Sequence, residues 1–208
     1  SPRIHAWVLK NGKANWDIAK PSADTTKKAP EEPTKFKMGL KRYEVKNANV
    51  LYEDETMGLR TELNGLNHKG SGDFTEDLFL LVTETAIKSF SLSYGGVPYL
   101  KNAEVKLKAD LDMDMKQSKY SFKENELLLN ELAFGMDGWV AMPTDDISMD
   151  LKFDVKKAEF KHFMSMIPGV YAEGFKDVKS SGKLAFNGYV KGIFNDKSMP
   201  TFGLKLNI

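Results

Sequence analysis

Residues 103 to 116 read AEVKLKADLDMDMK, and the alternation within this stretch decides the fold class. Every second residue from Val105 to Met115 is apolar, and each residue between them is a lysine or an aspartate. Successive side chains of a β-strand point to opposite faces, so this period of two predicts a strand with one apolar and one wet face. At about 3.3 Å per residue the stretch would span roughly 45 Å, which is far longer than the usual strand of about five or six residues.

Other parts of the chain repeat this period between turn signals. Residues 148–155 (SMDLKFDV) and 90–94 (FSLSY) alternate in the same way. Turn-forming residues occur at 11–12, 94–98, 142–146 and 194–197. Strands that alternate with short turns predict a mainly β chain that forms a long, mostly antiparallel meander sheet.

One stretch breaks the β pattern in favour of a helix. In residues 156–167 (KKAEFKHFMSMI) the large apolar residues recur at spacings of three and four, and Pro168-Gly169 ends the pattern. Residues 170–178 form a second candidate piece. We therefore expect one or two short amphipathic helices packed on one face or end of the sheet.

Length and composition predict a single β-rich domain over residues 1–208. Residues 20–35 hold three of the eight prolines and no large apolar side chain, so we expect a mobile loop there. The strand pattern runs to the last residue, which we interpret as an interior fragment of a longer chain. The alternative, that both ends are edge strands of a complete domain, stays open.

Charge and residue usage exclude several classes of protein and of site. The net charge of +1 gives no basic footprint for nucleic acid. No apolar run reaches the roughly 18 to 20 residues of a membrane helix. The chain has no cysteine, so disulfides and thiolate metal sites are excluded.

No motif marks catalytic residues, a metal site or a cofactor. The three histidines lie in distant segments without metal-ligand spacing. Asp110, Asp112 and Asp114 alternate on one strand, more than about 6 Å apart, and lack the glycine and closing glutamate of a calcium loop. A hydrolase with an unmarked pair among the 29 acidic residues stays an open alternative.

The segment NGKANWDI at 11–18 places Trp16 directly after a turn. An aromatic residue at the end of a sheet typically packs on the next strand, and Asn15 and Asp17 suit hydrogen bonds to turn backbone. We therefore interpret these three residues as structural. The alternative is a sugar platform, and a glycan- or protein-binding module would use Trp7, Trp16 and Trp139.

Several stretches together resemble the AsmA family of bacterial envelope proteins, in the form found in Bacteroidetes. The resemblance begins with NGKANWDI, continues through the Pro- and Lys-rich loop, and covers nearly the whole chain. Its remaining pieces are LKRYEVKNANVLYEDE (40–55), LNGLNHKGSGDF (63–74), YGGVPYLKNAEVKLKADL (94–111), FKENELLLNELAFGMDGWVAM (122–142) and SSGKLAFNGYVKGIFND (180–196). The family is similar to TamB and to bridge-like lipid transport proteins.

The resemblance implies a non-enzymatic, periplasmic protein with a curved sheet and an apolar groove. It implies an inner-membrane anchor in the full-length protein, so membrane contact would run only through segments outside this fragment. It also implies a role in outer-membrane assembly and phospholipid movement. The expected partners are phospholipid or acyl chains and envelope proteins, with no nucleic acid, no cofactor and no active-site residues.

The apolar side of the predicted strands supplies the residues of such a groove. Its methionines suit irregular or changing contents. The groove candidates are Met38, Phe90, Leu92, Leu107, Leu111, Met113, Met115, Leu151 and Phe153. The alternative is that this side is an ordinary core covered by the helix at 159–167.

Overall fold

The computed structural model describes residues 1–18, 41–144, 146–164, 181–195 and 197–207. These residues form one sheet of ten strands and one short helix, α1 (Phe160–Met164), which follows β8. The strands are β1 (Arg3–Val8), β2 (Arg42–Asp54), β3 (Leu59–Ser71), β4 (Leu78–Tyr94), β5 (Val97–Asp114), β6 (Lys119–Leu129), β7 (Leu132–Ala141), β8 (Ile147–Glu159), β9 (Lys183–Phe194) and β10 (Thr201–Asn207). The predicted loop 20–35, Met38 and the predicted helical piece 170–178 lie outside the described residues.

The spatial order of the strands is the same as their order along the chain. Every pair from β2 to β10 is antiparallel, whereas β1 pairs with β2 in parallel, so that Ile4 lies beside Val50. The predicted fold class, a mainly β chain with a long, mostly antiparallel meander, is therefore confirmed. The parallel pairing of β1 was not predicted.

The described strands form a single layer. Extensive contacts join only hydrogen-bonded neighbours, apart from those of α1 with β8 and β9. Ten strands spaced about 4.8 Å apart give a sheet roughly 43 Å wide, and the 18 residues of β5 run for roughly 60 Å. Because the described strands form no second layer over this one, the core among the described residues is small. The largest fully buried side chains of the described chain are Leu132, Val155 and Leu184.

The helix begins later than its sequence pattern predicted. Residues 156–159 continue β8, and α1 starts at Phe160, so the prediction of a helix from residue 156 is wrong. The cause is a β-bulge between Val155 and Ala158, which are both buried although they are three residues apart. A spacing of three in a bulged strand imitates the period of a helix.

Bulges interrupt the hydrogen-bond ladder at several points. Register shifts occur between β2 and β3 at Val45/Ala48, between β4 and β5 at Ile87/Phe90, and between β6 and β7 at Phe122/Leu127. At the first of these, Asn47 adopts a φ of 46° and its N–H donates to Asn67 Oδ1 at 3.0 Å. Asparagine tolerates this left-handed conformation, and each bulge bends its strand and increases the local twist.

The β2–β3 turn is closed by the carboxylate of Asp54, which is only 8% exposed. Its Oδ1 accepts hydrogen bonds from the Thr56 hydroxyl at 2.6 Å, from the Thr56 N–H at 2.9 Å and from the Met57 N–H at 3.2 Å. The hydroxyl bond of Thr56 is the largest influence that lowers the pKa of Asp54 below its usual value. The ionised form is thus favoured in the folded protein.

We expect the Asp54→Asn substitution to lower the free energy of unfolding at pH 7. In acid, where Asp54 of the wild type is protonated, this difference between the two proteins should disappear. A carboxyl whose pKa is lowered on folding stabilises the protein above its unfolded pKa of about 3.9, and that contribution is lost as the pH falls through the folded pKa. The difference in urea midpoint between wild type and Asp54→Asn should therefore narrow below about pH 4. A difference that is constant from pH 7 to pH 3 would show that the charge of Asp54 is not involved.

Candidate functional site

The two faces of the sheet differ sharply in polarity. Residues that pair across antiparallel strands share a face, and in β4–β5 the pairs Phe79–Met113 and Leu81–Leu111 lie on the same side. We call this side the apolar face. The opposite side, the polar face, carries a row of alternating charges that crosses β3 to β6 through Lys69, Glu84, Lys108 and Glu126.

Seven of the nine predicted groove residues lie on the apolar face. They are all half-buried: Phe90, Leu92, Leu107, Leu111, Met113, Leu151 and Phe153. Met115 lies beyond the end of β5 and is 50% exposed, and Met38 falls outside the described residues. Side chains in a single layer cover the flanks of their neighbours and leave their tips free, which explains why these seven are neither buried nor fully exposed.

Residues of β6 and β7, which the sequence analysis missed, join these seven into one surface. One row runs across four strands through Leu111, Phe122, Gly138 and Leu151. The remaining apolar-face residues of these two strands are Tyr120, Leu127, Leu129, Leu132, Phe134, Met136 and Val140. The alternation Tyr120, Phe122 and then Leu127, Leu129 was the available signal, but the bulge between them shifts its phase.

Within the described chain, three aromatic contacts cover parts of the apolar face. At one side, Phe163 of α1 packs on Phe186 of β9 with ring centroids 5.9 Å apart. Towards β2, Phe74 contacts Phe79 at 4.9 Å. Trp16 stacks on Tyr52 at 6.4 Å beside β1. The extensive contacts of α1 are with β8 and β9, and its His162 also pairs with Glu131, which lies between β6 and β7.

Three polar side chains on the apolar face, His68, Thr83 and Thr85, form hydrogen bonds within the sheet. The ring of His68 lies between the hydroxyls of Tyr43, at 3.0 Å, and Thr85, at 2.8 Å. The buried Thr83 hydroxyl donates to the carbonyl of Ala109. Burial also raises the pKa of Tyr43, so its hydroxyl keeps its proton. No buried side-chain nitrogen or oxygen among the described residues lacks a hydrogen-bond partner.

The segment around Trp16 contacts β1 and its own turn. Trp16 is 49% exposed and lies flat on Tyr52. The Oδ1 of Asn15 accepts the Trp7 N–H at 2.9 Å, and its Nδ2 donates to the carbonyl of His5 at 2.8 Å. Asp17 accepts the Ala14 N–H at 2.9 Å. The side chains of Asn15 and Asp17 thus hold this segment in place through hydrogen bonds to the main chain of β1 and of the turn.

The three tryptophans do not converge on one site. Trp7 donates its indole N–H to Glu55 on the polar face, whereas Trp16 lies on the apolar face. Trp139 belongs to β7, where Lys119 Nζ lies 4.6 Å from the ring centroid. Six strand spacings of about 4.8 Å separate β1 from β7, which amounts to roughly 29 Å.

Two kinds of functional feature are absent from the part of the chain that the structure describes. No three His, Asp or Glu side chains converge there so that they could hold a metal ion. Of the described helical residues, none belong to a helix with the length and apolar character that a membrane crossing requires.

The geometry of the described residues defines the class of fold: a single ten-stranded β-sheet with one apolar and one charged face. Comparisons with protein-family models, with curated proteins and with solved structures gave no match.

Proposed function

We propose that this chain is a non-enzymatic, periplasmic segment of an AsmA-like envelope protein that holds phospholipid acyl chains on its apolar face. One observation carries the proposal: half-buried apolar side chains form a continuous surface from β4 to β8, over which the described residues form no second layer of strands. The sequence resemblance to the AsmA family supports the same function independently.

The size of the surface suits an acyl chain. A phospholipid tail occupies about half of the roughly 30 Å hydrocarbon core of a bilayer, whereas the sheet is roughly 43 Å wide. Each methylene that leaves water contributes about 0.8 kcal/mol. A tail that covers the exposed tips of Leu111, Met113 and Leu151 would bury apolar surface on both partners.

In this proposal the anchor lies in the inner membrane and belongs to a part of the full-length protein outside residues 1–208. The segment serves phospholipid transport and outer-membrane assembly by keeping tails out of water along the sheet. A continuous apolar surface of this extent is typical of a binding surface. A lipid tail can contact the whole apolar face because its binding requires no fixed geometry.

Native mass spectrometry on gently purified protein tests the proposal. We expect phospholipid to copurify with the wild type and to fall at least about tenfold in occupancy in Leu111→Asp and Leu151→Asp, because a carboxylate on the apolar face opposes burial under a tail. Leu128→Asp is the matched control, since Leu128 is also half-buried but lies on the polar face opposite Lys106.

Circular dichroism establishes that each variant keeps the fold. A wild-type protein that stays free of lipid after incubation with phospholipid vesicles would overturn the proposal. So would an equal loss of lipid in Leu128→Asp and Leu151→Asp.

A further inference from the structure

The polar face of β7 to β10 contains a depression of about 710 Å³. Nine of its twelve lining residues hold polar-face positions in the strand register. One row crosses the four strands through Asp137, Lys152, Tyr189 and Gly203. The adjacent row holds Asp154, Asn187 and Lys205. Asp150 and Lys191 form the third row.

Gly203 and Tyr189 give the depression its shape. A Cβ at position 203 would lie 2.5 Å from Cε1 of Tyr189, so the tyrosine ring occupies the space of the missing side chain. Tyr189 nevertheless remains 46% exposed. It therefore offers solvent a flat aromatic surface that its contact with Gly203 keeps in place.

The charges around this ring balance. Three aspartates (137, 150 and 154) and three lysines (152, 191 and 205) line the depression. Asp150 and Lys191 form an ion pair at 2.7 Å. The side chains of Asp137, Asp154, Lys152 and Lys205 make no hydrogen bond or ion pair with any residue that the structure describes. Acceptors and donors thus alternate around the ring without a net charge.

We propose that this depression is a binding site for a neutral carbohydrate. Sugar hydroxyls donate to carboxylates and accept from ammonium groups, which matches the alternating aspartates and lysines. An exposed aromatic ring fixed by its neighbour provides the apolar surface that the C–H face of a sugar needs. A site with equal numbers of aspartates and lysines does not favour a free anion or a free cation, because an ion attracted by one group is repelled by another at a similar distance.

This site can be tested separately from the apolar face, because nine of its lining residues lie on the opposite side of the sheet and neither Leu111 nor Leu151 lines it. Loss of lipid binding would leave it intact, and the reverse also holds. None of the three tryptophans that a glycan-binding module was expected to use lines the depression, although Trp139 pairs with Asp150 at its border.

Titration with neutral tetrasaccharides tests the proposal on the whole 208-residue chain. The probes are maltotetraose, cellotetraose and chitotetraose, and the readout is the amide chemical shift of 15N-labelled protein. We expect at least one probe to shift the amides of Gly188, Tyr189 and Gly203. The Tyr189→Ala substitution should raise the Kd for that tetrasaccharide about tenfold. Tyr189→Phe, which keeps the aromatic ring, should raise the Kd much less.

Tyr94→Ala is the matched control, because Tyr94 is 50% exposed but lies at the β4–β5 turn. It should leave the Kd unchanged. If Tyr189→Ala loses the fold by circular dichroism, Lys152→Gln and Asp137→Asn carry the test, and each should weaken binding about threefold or more.

Three outcomes would overturn the proposal. The first is the absence of shifts with every tetrasaccharide up to about 5 mM, a concentration that detects even millimolar binding. The second is a Kd that folded Tyr189 and Lys152 variants do not change. The third is a response to phosphoethanolamine alone, which would assign the site to a zwitterionic headgroup.

Discussion

Leu132→Ala should lower the free energy of unfolding by about 2–5 kcal/mol, which is a large part of the roughly 5–15 kcal/mol that holds a typical protein folded. Leu132 is 1% exposed at the start of β7 and packs with Val155 and Ala158 in the main buried cluster, beside Phe134 and Phe186. Few side chains of the described sheet are buried to this degree, and its strands provide no second layer that could fill a cavity at this point. Urea unfolding followed by circular dichroism measures the loss.

Leu204→Ala is the control for this experiment. Leu204 belongs to the edge strand β10 and is 65% exposed, so the same deletion of atoms removes little buried surface. We expect a loss within about 0.5 kcal/mol. Equal losses at positions 132 and 204 would mean that the cluster beneath α1 does not support the sheet.

Gly138→Ala is expected to cost about 2–6 kcal/mol, the sum of about 1–3 kcal/mol for backbone strain and about 1–3 kcal/mol for overpacking. Gly138 adopts a φ of 118°, which side chains rarely allow. A Cβ there would also overlap the carbonyl oxygen of Asp150 on the neighbouring strand. The same urea titration reports the effect.

Gly95→Ala separates the two contributions. Gly95 also has a positive φ, of 56°, but a Cβ at this position meets no atom within 4 Å. It should therefore cost only the backbone strain, about 1–3 kcal/mol. If the two substitutions destabilise the protein equally, the close approach of β7 and β8 at Gly138 has no energetic weight.

The sequence predicted the strands whose alternation is uninterrupted. β5 and most of β8 follow from a period of two, and the turn signals mark where hairpins close. The start of α1 was wrong because the bulge before Ala158 changes the phase of the pattern. The parallel partner of β1 could not be predicted, since pairing between residues far apart in the chain, such as Ile4 and Val50, leaves no local trace in either strand.

For the candidate sites, the sequence predicted which residues of a single strand share a side, but not which strands lie next to one another. The alternation of apolar residues predicts that Leu111 and Leu151 each lie on the apolar side of their strand. Only the strand register shows that Phe122 and Gly138 lie between them in one row. The depression beside Tyr189 depends on register entirely, because its residues come from four strands and form no motif. A glycine paired with an exposed tyrosine becomes informative only after the pairing is known.

The identity between strand order and chain order makes the protein a one-dimensional array. Each interior strand interacts chiefly with the two strands beside it. The free energy of folding is therefore close to a sum of the energies of nearest-neighbour interfaces, as in solenoid repeats. From β2 to β8, and again from β9 to β10, short connections join the paired strands, which keeps loop-closure entropy small and lets order propagate hairpin by hairpin. Such a sheet can lengthen or shorten by whole hairpins while the packing of the remaining strands stays the same.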